Sequence, residues 1–191
     1  LTRQAFENAI RVVVSMGGRD RIVGSNKRDL ICSGRGPDRI VSGEGSDRII
    51  AEGGADVVSA GAGDDTAAGG AGLDKIKGAG GNDSLYGGKE ADAISGGPGA
   101  DGIFPAGAKD RASGGAGNDL LIGARGNDRL VGGSGDDSLD GQVGDDRMRG
   151  GSGADQLIGE NGTDRINGGD GDDRVNGGPG PDEVDSGGGS D

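Results

Sequence analysis

The residues best suited to chemistry in this chain are aspartates that recur at every ninth position. They run from Asp20 to Asp191 without interruption, and the residue two positions earlier is glycine in seventeen of the twenty repeats. Carboxylate oxygens are ligands that hard cations prefer in proteins. The chain has no histidine and a single cysteine, Cys32, which excludes most zinc, haem and iron–sulfur sites. The spacing therefore predicts a repeated cation site built from oxygen atoms.

Catalytic chemistry is not indicated by the other candidate residues. Paired acids such as Asp136–Asp137 and Asp172–Asp173 are of the kind that glycosidases use, but drift within the repeat explains them better. Without histidine the chain lacks the usual general base. It also has neither a nucleophilic-elbow serine nor a phosphate-binding GK[ST] loop. We therefore expect that the protein is not an enzyme.

The elements that must position the aspartates follow from the same period. Each nine-residue unit predicts a six-residue turn that ends in the aspartate, followed by a three-residue strand. The residue two positions after the aspartate is apolar in the first nineteen repeats, so the middle strand residue points inward. Glycine in the turn permits positive φ and close approach of the backbone. Two units make one 18-residue coil, which predicts an all-β parallel solenoid of about ten coils.

The acidic character of the chain requires a counter-ion in such a fold. The net charge is −13, 48 of the 191 residues are glycine and aromatic residues make up 2%, a composition that otherwise indicates disorder. Aspartates of successive coils would lie about 5 Å apart, and at an effective dielectric of about 20 each pair would repel by roughly 3 kcal/mol. An irregular cage of carboxylate and carbonyl oxygens suits Ca²⁺ better than Mg²⁺. The alternative, in which the aspartates only cap turns without metal, stays open.

At these residues the sequence resembles the repeats-in-toxin (RTX), or hemolysin-type, family of calcium-binding proteins, whose repeat unit is GGxGxDxUx. The units Gly168–Asn176 and Gly132–Asp140 match it at every defined position, and the resemblance covers residues 15 to 191. It implies a right-handed parallel β-roll with Ca²⁺ between GGxGxD turns one coil apart. In the family, one turn gives its Asp carboxylate and the carbonyls of its second and fourth residues. The next coil's turn gives its Asp and the carbonyls of its first and third.

The resemblance also implies which residues of this chain hold the metal. One site would use Gly151, Gly153 and Asp155 with Gly168, Asp170 and Asp173, and the neighbouring site would use Gly133, Gly135 and Asp137 with Gly150, Ser152 and Asp155. The full set of expected metal-site residues is Asp38, Asp47, Asp56, Asp65, Asp74, Asp83, Asp92, Gly97, Gly99, Asp101, Gly114, Gly115, Ala116, Gly117, Asp119, Asp128, Gly132, Gly133, Ser134, Gly135, Asp137, Asp146, Gly150, Gly151, Ser152, Gly153, Asp155, Asp164, Gly168, Gly169, Asp170, Gly171, Asp173, Asp182 and Asp191.

The two turn edges of the predicted roll differ in sequence. The first edge holds the aspartates from Asp29 to Asp191, and its second turn residue is glycine in eight of ten turns. The second edge, from Asp20 to Asp182, has glycine there in only four. We expect fuller Ca²⁺ occupancy on the first edge. The weakest turns on the second edge are 87–92, where Glu90 replaces glycine, and 105–110, which contains Pro105, Ala108 and Lys109.

The two outer faces of the predicted roll carry different side chains. One is basic, and we interpret it either as a solvated face or as a site for a polyanion or acidic cell-surface polymer; its residues are Arg21, Arg39, Lys75, Arg111, Arg129, Arg147 and Arg165. The other is apolar and predicts contact with a protein or another domain, unless short aliphatic residues are there only as good strand formers; its residues are Cys32, Ile50, Ala68, Tyr86, Phe104, Ile122 and Ile158. We expect neither a nucleic-acid partner nor a membrane span.

Two regions and one function are predicted. Residues 1–14 form an N-terminal cap or first strand, and residues 15–191 form the calcium-binding β-roll. The predicted function is calcium binding by a calcium-dependent folding and stabilising module of a secreted, extracellular protein. Two alternatives are the C-terminal repeat portion of a larger secreted enzyme or toxin, and an extracellular structural or adhesive spacer.

Overall fold

The chain folds into two parallel β-sheets that enclose one narrow core. The computed structural model describes residues 11–190, and that part contains twenty-one strands and no helix. The larger sheet has the spatial order β1 (Arg11–Val14), β3 (Asp29–Cys32), β5 (Arg48–Ile50), β7 (Thr66–Gly70), β9 (Ser84–Gly88), β11 (Gly102–Gly107), β13 (Leu120–Ile122), β16 (Ser138–Val143), β18 (Gln156–Asn161) and β20 (Arg174–Asn176), and β14 (Ala124–Arg125) pairs with β11 and β16.

The smaller sheet contains the strands that alternate with these along the chain. Its order is β2 (Arg21–Val23), β4 (Arg39–Glu44), β6 (Val57–Ala62), β8 (Lys75–Gly80), β10 (Ala93–Pro98), β12 (Arg111–Ala116), β15 (Arg129–Ser134), β17 (Arg147–Ser152), β19 (Arg165–Asp170) and β21 (Glu183–Gly188). Consecutive strands therefore belong to opposite sheets, which is the arrangement of a β-solenoid. The expected all-β solenoid of about ten coils is confirmed. The right-handed winding implied by the resemblance stays a prediction, in line with the usual hand of parallel crossovers.

The pairing register follows the repeat without a shift. Leu130 pairs with Met148 and Met148 pairs with Ile166, so partners in one sheet are 18 residues apart. A shift of one residue would turn every inward side chain to the solvent. The apolar residue of each unit therefore fixes the register of the whole solenoid.

The core is a ladder that is one residue deep on each side. Nearly every strand contributes one fully buried apolar side chain, and the pattern along a strand alternates between exposed and buried. The buried apolar residues are Ile22, Ile31, Ile40, Ile49, Ala51, Val58, Ala60, Ala67, Ile76, Leu85, Ile94, Ile103, Ala112, Leu121, Leu130, Leu139, Met148, Leu157 and Ile166. Such a thin core buries little apolar area for a chain of this length, so the turns must also contribute to stability.

Most strands are longer than the three residues that the repeat predicts. β15, for example, continues from Arg129 through Ser134 because the first three turn residues keep their parallel pairing, with Gly133 opposite Gly151 and Ser134 opposite Ser152. In turns of this kind, only the last three residues leave the ladder. The stacked turns are thus held at the same separation as the strands.

Close stacking explains the glycines of the turn. Gly153 has φ 130°, and a Cβ atom placed on it would overlap the carbonyl oxygen of Gly135 in the preceding coil. A Cβ on Gly80, outside this contact, would meet no atom within 4 Å. Glycine at the fourth turn position is therefore required both by conformation and by the carbonyl that faces it.

Candidate metal sites

The repeat aspartates form two buried columns, one along each turn edge. Asp29 and every repeat aspartate from Asp38 to Asp173 are 4% exposed or less, whereas Asp20 and Asp182 are half-buried. Asp191 lies outside the described residues. Nine of these buried aspartates belong to the first edge and eight to the second. Burial of so many carboxyl groups in a thin solenoid is unfavourable unless each group finds a partner.

From Asp38 onwards, one oxygen of each buried carboxylate accepts a hydrogen bond from the preceding coil, whereas Oδ2 of Asp29 accepts the N–H of Ser25 in its own turn. The backbone N–H of Asp137 donates to Oδ1 of Asp155 at 2.8 Å, and the N–H of Asp155 donates to Oδ1 of Asp173 at 2.9 Å. The same bond recurs on the other edge, where the N–H of Asp128 donates to Oδ1 of Asp146 at 2.7 Å. From Asp38 onwards, each of these aspartate side chains therefore ties its own coil to the one before it.

The second oxygen of these carboxylates is left without a hydrogen bond in the protein. Oδ2 is buried and unbonded in fifteen consecutive repeat aspartates, from Asp38 to Asp164. Buried acceptors without partners are rare in native proteins, because the lost hydration is not replaced. A row of such oxygens, all at the same position in the turn, is the donor arrangement that a cation would satisfy.

Main-chain oxygens lie beside these carboxylates. A Cβ atom on Gly150 would overlap Oδ2 of Asp155 and would lie 2.5 Å from the carbonyl oxygen of Gly168 in the next coil. The space next to Gly150 is therefore bounded by one carboxylate oxygen and one carbonyl oxygen from adjacent turns. Glycine at this first turn position keeps that space clear.

The oxygens implied for one site lie along two stacked turns, and the Asp173 carboxylate reaches the gap between them through Oδ1, which accepts the N–H of Asp155, while its Oδ2 lies beside Gly168. A Cβ on Gly169 would overlap the Gly151 carbonyl, and one on Gly171 would overlap the Gly153 carbonyl. The Asp170 carbonyl accepts the N–H of Gly153 at 2.9 Å. Together with the Asp155 and Asp173 carboxylates and the Gly168 carbonyl, these oxygens come from one pair of stacked turns.

The neighbouring site and the turns before it repeat this arrangement. The carbonyls of Gly97, Gly99, Gly115, Gly117, Gly133 and Gly135 face the glycines of the following coil, and Gly114 and Gly132 adjoin the Oδ2 atoms of Asp119 and Asp137. At the third turn position, the main-chain carbonyl faces the preceding coil and accepts an N–H from it. The residues at this position are Ala116, Ser134, Ser152 and Asp170.

Side chains alone do not make a metal site here. Within residues 11–190, no three Asp, Glu or Cys side chains come together in a way that could hold a metal ion. The fitting donors are one carboxylate from each of two turns and the carbonyls around them. This set contains only oxygen, so the residues present fit a hard cation such as Ca²⁺.

Burial shifts the titration of the aspartates in the metal-free protein. Burial, with a smaller contribution from the charges of Asp119 and Asp155, raises the pKa of Asp137 to about 7 despite the lowering effect of the backbone hydrogen bond from Asp119. Burial likewise raises the pKa of Asp128 and Asp83 to about 7. The metal-free roll therefore holds more protons near neutral pH than an unfolded chain does, and its stability falls as the pH rises through about 7.

The two edges differ in backbone strain rather than in aspartate placement. On the second edge, Glu52, Gln142 and Glu160 occupy the second turn position with φ of 70°, 70° and 66°. A left-handed conformation costs a residue other than glycine about 1–2 kcal/mol. Asp146 and Asp137, from opposite edges, are both buried with an unpartnered Oδ2. The expected difference in Ca²⁺ occupancy stays a prediction.

The turn at 87–92, one of the two weak turns on the second edge, changes its hydrogen bonding. The N–H of Gly72 donates to Oε2 of Glu90 at 2.9 Å, in place of the carbonyl that accepts the equivalent bond in other coils. Glu90 also lacks the positive φ of a fourth turn residue. Ala108, in the other weak turn, keeps a φ of 151° and donates its N–H to the next coil at 2.9 Å. A Glu carboxylate therefore replaces a main-chain oxygen at one place in the column.

A second ladder of side chains runs outside each aspartate column. The N–H of Asn82 donates to Oδ1 of Asp64 and the N–H of Ala100 donates to Oδ1 of Asn82, both at 2.8 Å. These bonds link some of the coils to the following one, and their N–H donor lies in the later coil, whereas the N–H groups that donate to Oδ1 of the repeat aspartates lie in the earlier coil. The acceptors of this second ladder are Asp64, Asn82, Asn118, Asn127, Asp136, Asp145 and Asp172.

The Asn or Asp that directly precedes some repeat aspartates has a structural role that was not predicted from the sequence. Asp136 and Asp172 accept an N–H from Ala154 and Ser190, both at 2.8 Å, so repeat drift does not account for these acidic pairs. The signal was present as Asn or Asp immediately before the repeat aspartate. Such short side chains commonly accept main-chain hydrogen bonds in turns.

The family of the chain is decided by comparison with protein-family models. The model of the RTX calcium-binding nonapeptide repeat matches residues 33–67, 68–103, 107–139, 122–157 and 158–191. The chain belongs to this RTX family. The stacked turns with unpartnered carboxylate oxygens are thus the RTX calcium-binding repeats in folded form. No curated protein matches the chain.

The outer faces of the RTX roll are arranged as the sequence predicts, but their partners stay predictions. Tyr86 and Phe104 stack on the larger sheet with ring centroids 5.1 Å apart, and Tyr86 is 44% exposed. The other members of the apolar stripe, Cys32, Ile50, Ala68, Ile122 and Ile158, are half-buried. Within the described part of the chain, no helix has the length and hydrophobicity of a membrane-spanning segment.

Proposed function

We propose that this RTX roll binds Ca²⁺ between stacked turns along both edges, and that ion binding drives and maintains its folding. The observation that carries the proposal is the row of fifteen buried Oδ2 atoms, from Asp38 to Asp164, without a hydrogen-bond partner. Each lies in a turn where carbonyl oxygens of the next coil face the same gap. A Ca²⁺ ion there supplies the positive charge that offsets the repulsion between the stacked carboxylates.

The two oxygens of each aspartate and the turn glycines have different roles in this ion binding. Oδ1 of each aspartate accepts a main-chain N–H and so fixes the orientation of the carboxylate before any ion binds. Oδ2 then projects into the gap, and the glycines leave room for the ion and the carbonyls. Since the gaps are formed by pairs of coils, an unfolded chain contains none of them, and binding free energy becomes folding free energy.

Calcium dependence fits a module that folds outside the cell. Inside the cell calcium is scarce, and a chain of net charge −13 with few apolar residues would stay unfolded there. Outside the cell, abundant calcium would fold it. We therefore place the roll in a secreted protein, either as a stabilising module, as the repeat portion of a larger secreted enzyme or toxin, or as a structural or adhesive spacer. The roll itself has no catalytic role in this proposal.

Isothermal titration calorimetry with Ca²⁺ and Mg²⁺ tests the binding claim. Ten aspartates in each column leave nine gaps per edge, so we expect many Ca²⁺ ions per chain rather than one or two. Mg²⁺ at the same concentration should bind far more weakly, because it demands a compact octahedral shell that this spread of carbonyls does not offer. Absence of Ca²⁺ binding, or equal binding of both ions, would refute the proposal.

A further inference from the structure

Four arginines form a straight ladder on the outer face of the smaller sheet. Arg111 pairs in register with Arg129, Arg129 with Arg147, and Arg147 with Arg165, on adjacent strands β12, β15, β17 and β19. All four side chains are exposed. Neighbouring strands in a sheet lie about 4.8 Å apart, so the guanidinium groups recur at about that interval.

The ladder is not explained by ion pairs within the protein. Arg165 contacts Glu183 at 3.0 Å, at the C-terminal end of the ladder. Within residues 11–190, Arg111, Arg129 and Arg147 have no carboxylate within 4.0 Å. Like charges directly opposite each other on a sheet are destabilising. An anion bound along these three arginines would therefore relieve a repulsion that no carboxylate of the protein offsets.

The surface around Arg129, Arg147 and Arg165 forms a groove that crosses strands β15, β17, β19 and β21. Its volume is about 490 Å³, and its lining includes these three arginines with Arg149, and Glu183 and Asp185 on the last strand. Arg149 adds a fifth exposed guanidinium beside the ladder. The groove runs across several strands and so follows the direction of the ladder. It fits an extended polymer better than a compact ligand.

The chemistry of the face selects among polymeric anions. Arginine binds planar or tetrahedral oxyanions through two parallel N–H donors, which suits carboxylate and sulfate groups. Single-stranded nucleic acids are bound through aromatic side chains that stack on the bases. The aromatic residues among 11–190, Tyr86 and Phe104, lie on the opposite sheet. We infer that the arginine ladder binds an acidic polysaccharide, whose successive carboxylate or sulfate groups pair with successive arginines.

The arginine ladder lies next to one of the two proposed calcium-binding columns. Arg129 directly follows the buried Asp128, and Arg147 follows Asp146, so the second aspartate column borders the ladder. Ions bound to that column would cancel its negative charge and strengthen the positive potential of the groove. In this respect the inference rests on the proposed function, and polysaccharide binding should require the calcium-loaded roll.

Binding of a labelled dextran sulfate oligosaccharide to the full chain in saturating Ca²⁺ tests the inference, with neutral dextran as the uncharged probe. The triple variant R111Q/R129Q/R147Q should bind at least tenfold more weakly. The matched variant R48Q/R125Q/R174Q removes the same charge from exposed arginines of the larger sheet and should stay within twofold of the parent. E183Q, which frees Arg165, should bind about twofold more tightly.

The outcomes separate the inference from the proposed function. Circular dichroism in the same buffer reports whether each variant is folded, so failure to fold in Ca²⁺ concerns the calcium claim alone. Absence of dextran sulfate binding by the folded parent overturns the inference, as does an equal loss in both triple variants or an E183Q variant that binds no more tightly. Tighter ladder-dependent binding of single-stranded DNA or anionic phospholipid vesicles overturns the assignment to polysaccharide.

Discussion

Chelation of calcium at pH 8 is expected to abolish most of the β-sheet signal of this chain in circular dichroism, and excess Ca²⁺ is expected to restore it. The structure contains fifteen buried Oδ2 atoms without partners between Asp38 and Asp164, and burial raises the pKa of Asp83, Asp92, Asp128 and Asp137 to about 7. At pH 8 these carboxyl groups must be charged. Without cations the folded state would bury two columns of uncompensated negative charge.

The same physics gives the calcium-free chain an unusual pH dependence. The aspartates have pKa values near 3.8 when unfolded and up to about 7 in the metal-free roll. Their protonation therefore contributes stability that is fully present below pH 3.8 and is lost as the pH rises through about 7. In excess chelator, β-sheet signal should increase as the pH is lowered from 8 to 5. Equal β-sheet content at pH 8 with and without calcium would refute calcium-dependent folding.

Replacement of Asp137 by asparagine should have opposite effects with and without calcium. The asparagine side chain retains an oxygen that can accept the N–H of Asp119, which Asp137 accepts at 2.9 Å, but it loses the anionic Oδ2. Because the family arrangement shares Asp137 between two gaps, two sites should weaken. At a calcium concentration a hundredfold above Kd, each lost site removes about 2.7 kcal/mol of stabilisation, so D137N should be destabilised by about 5 kcal/mol. In chelator near neutral pH, D137N should be no less stable than the parent.

Asp136 supplies a matched control at the neighbouring position. D136N makes the same change of charge in an exposed side chain whose Oδ1 accepts the N–H of Ala154, and asparagine can accept that bond equally well. We expect D136N to change stability in calcium by less than about 1 kcal/mol. Urea denaturation in calcium and in chelator measures both variants. Equal destabilisation of D136N and D137N in calcium would show that Asp137 acts only through general charge.

Much of the fold was predictable because one period controls every level of structure. The nine-residue spacing sets which residue of each unit points inward, and two units per coil set partners 18 residues apart; Leu130 and Met148 occupy such positions. The spacing also placed each repeat aspartate at the end of a turn, whereas the burial of these aspartates was not predicted. A shift by one residue would move all of these positions out of place at once.

Other features depend on contacts between coils that a single repeat does not reveal. Strands extend into the turn because Gly133 and Ser134 keep pairing with the next coil. Glu90 reaches the N–H of Gly72 across one coil, although its sequence context marks it only as a missing glycine. Stacking likewise gives the two oxygens of each carboxylate different environments. Oδ1 accepts a hydrogen bond, and Oδ2 is directed into the gap. To predict these details, one would need the distance between neighbouring coils and the rotation of each coil relative to the next.

Anomalous diffraction from crystals grown in Ca²⁺, recorded at a wavelength where calcium scatters anomalously, would locate the ions themselves. We expect peaks in both columns at the gaps between successive turns, about 2.3–2.6 Å from Oδ2 of aspartates such as Asp137 and Asp155. At limiting calcium, the first edge should show the stronger peaks. A folded roll with no anomalous peaks beside the Oδ2 atoms would refute calcium binding between the turns, because the buried carboxylates would then be stable without the ions proposed to hold them.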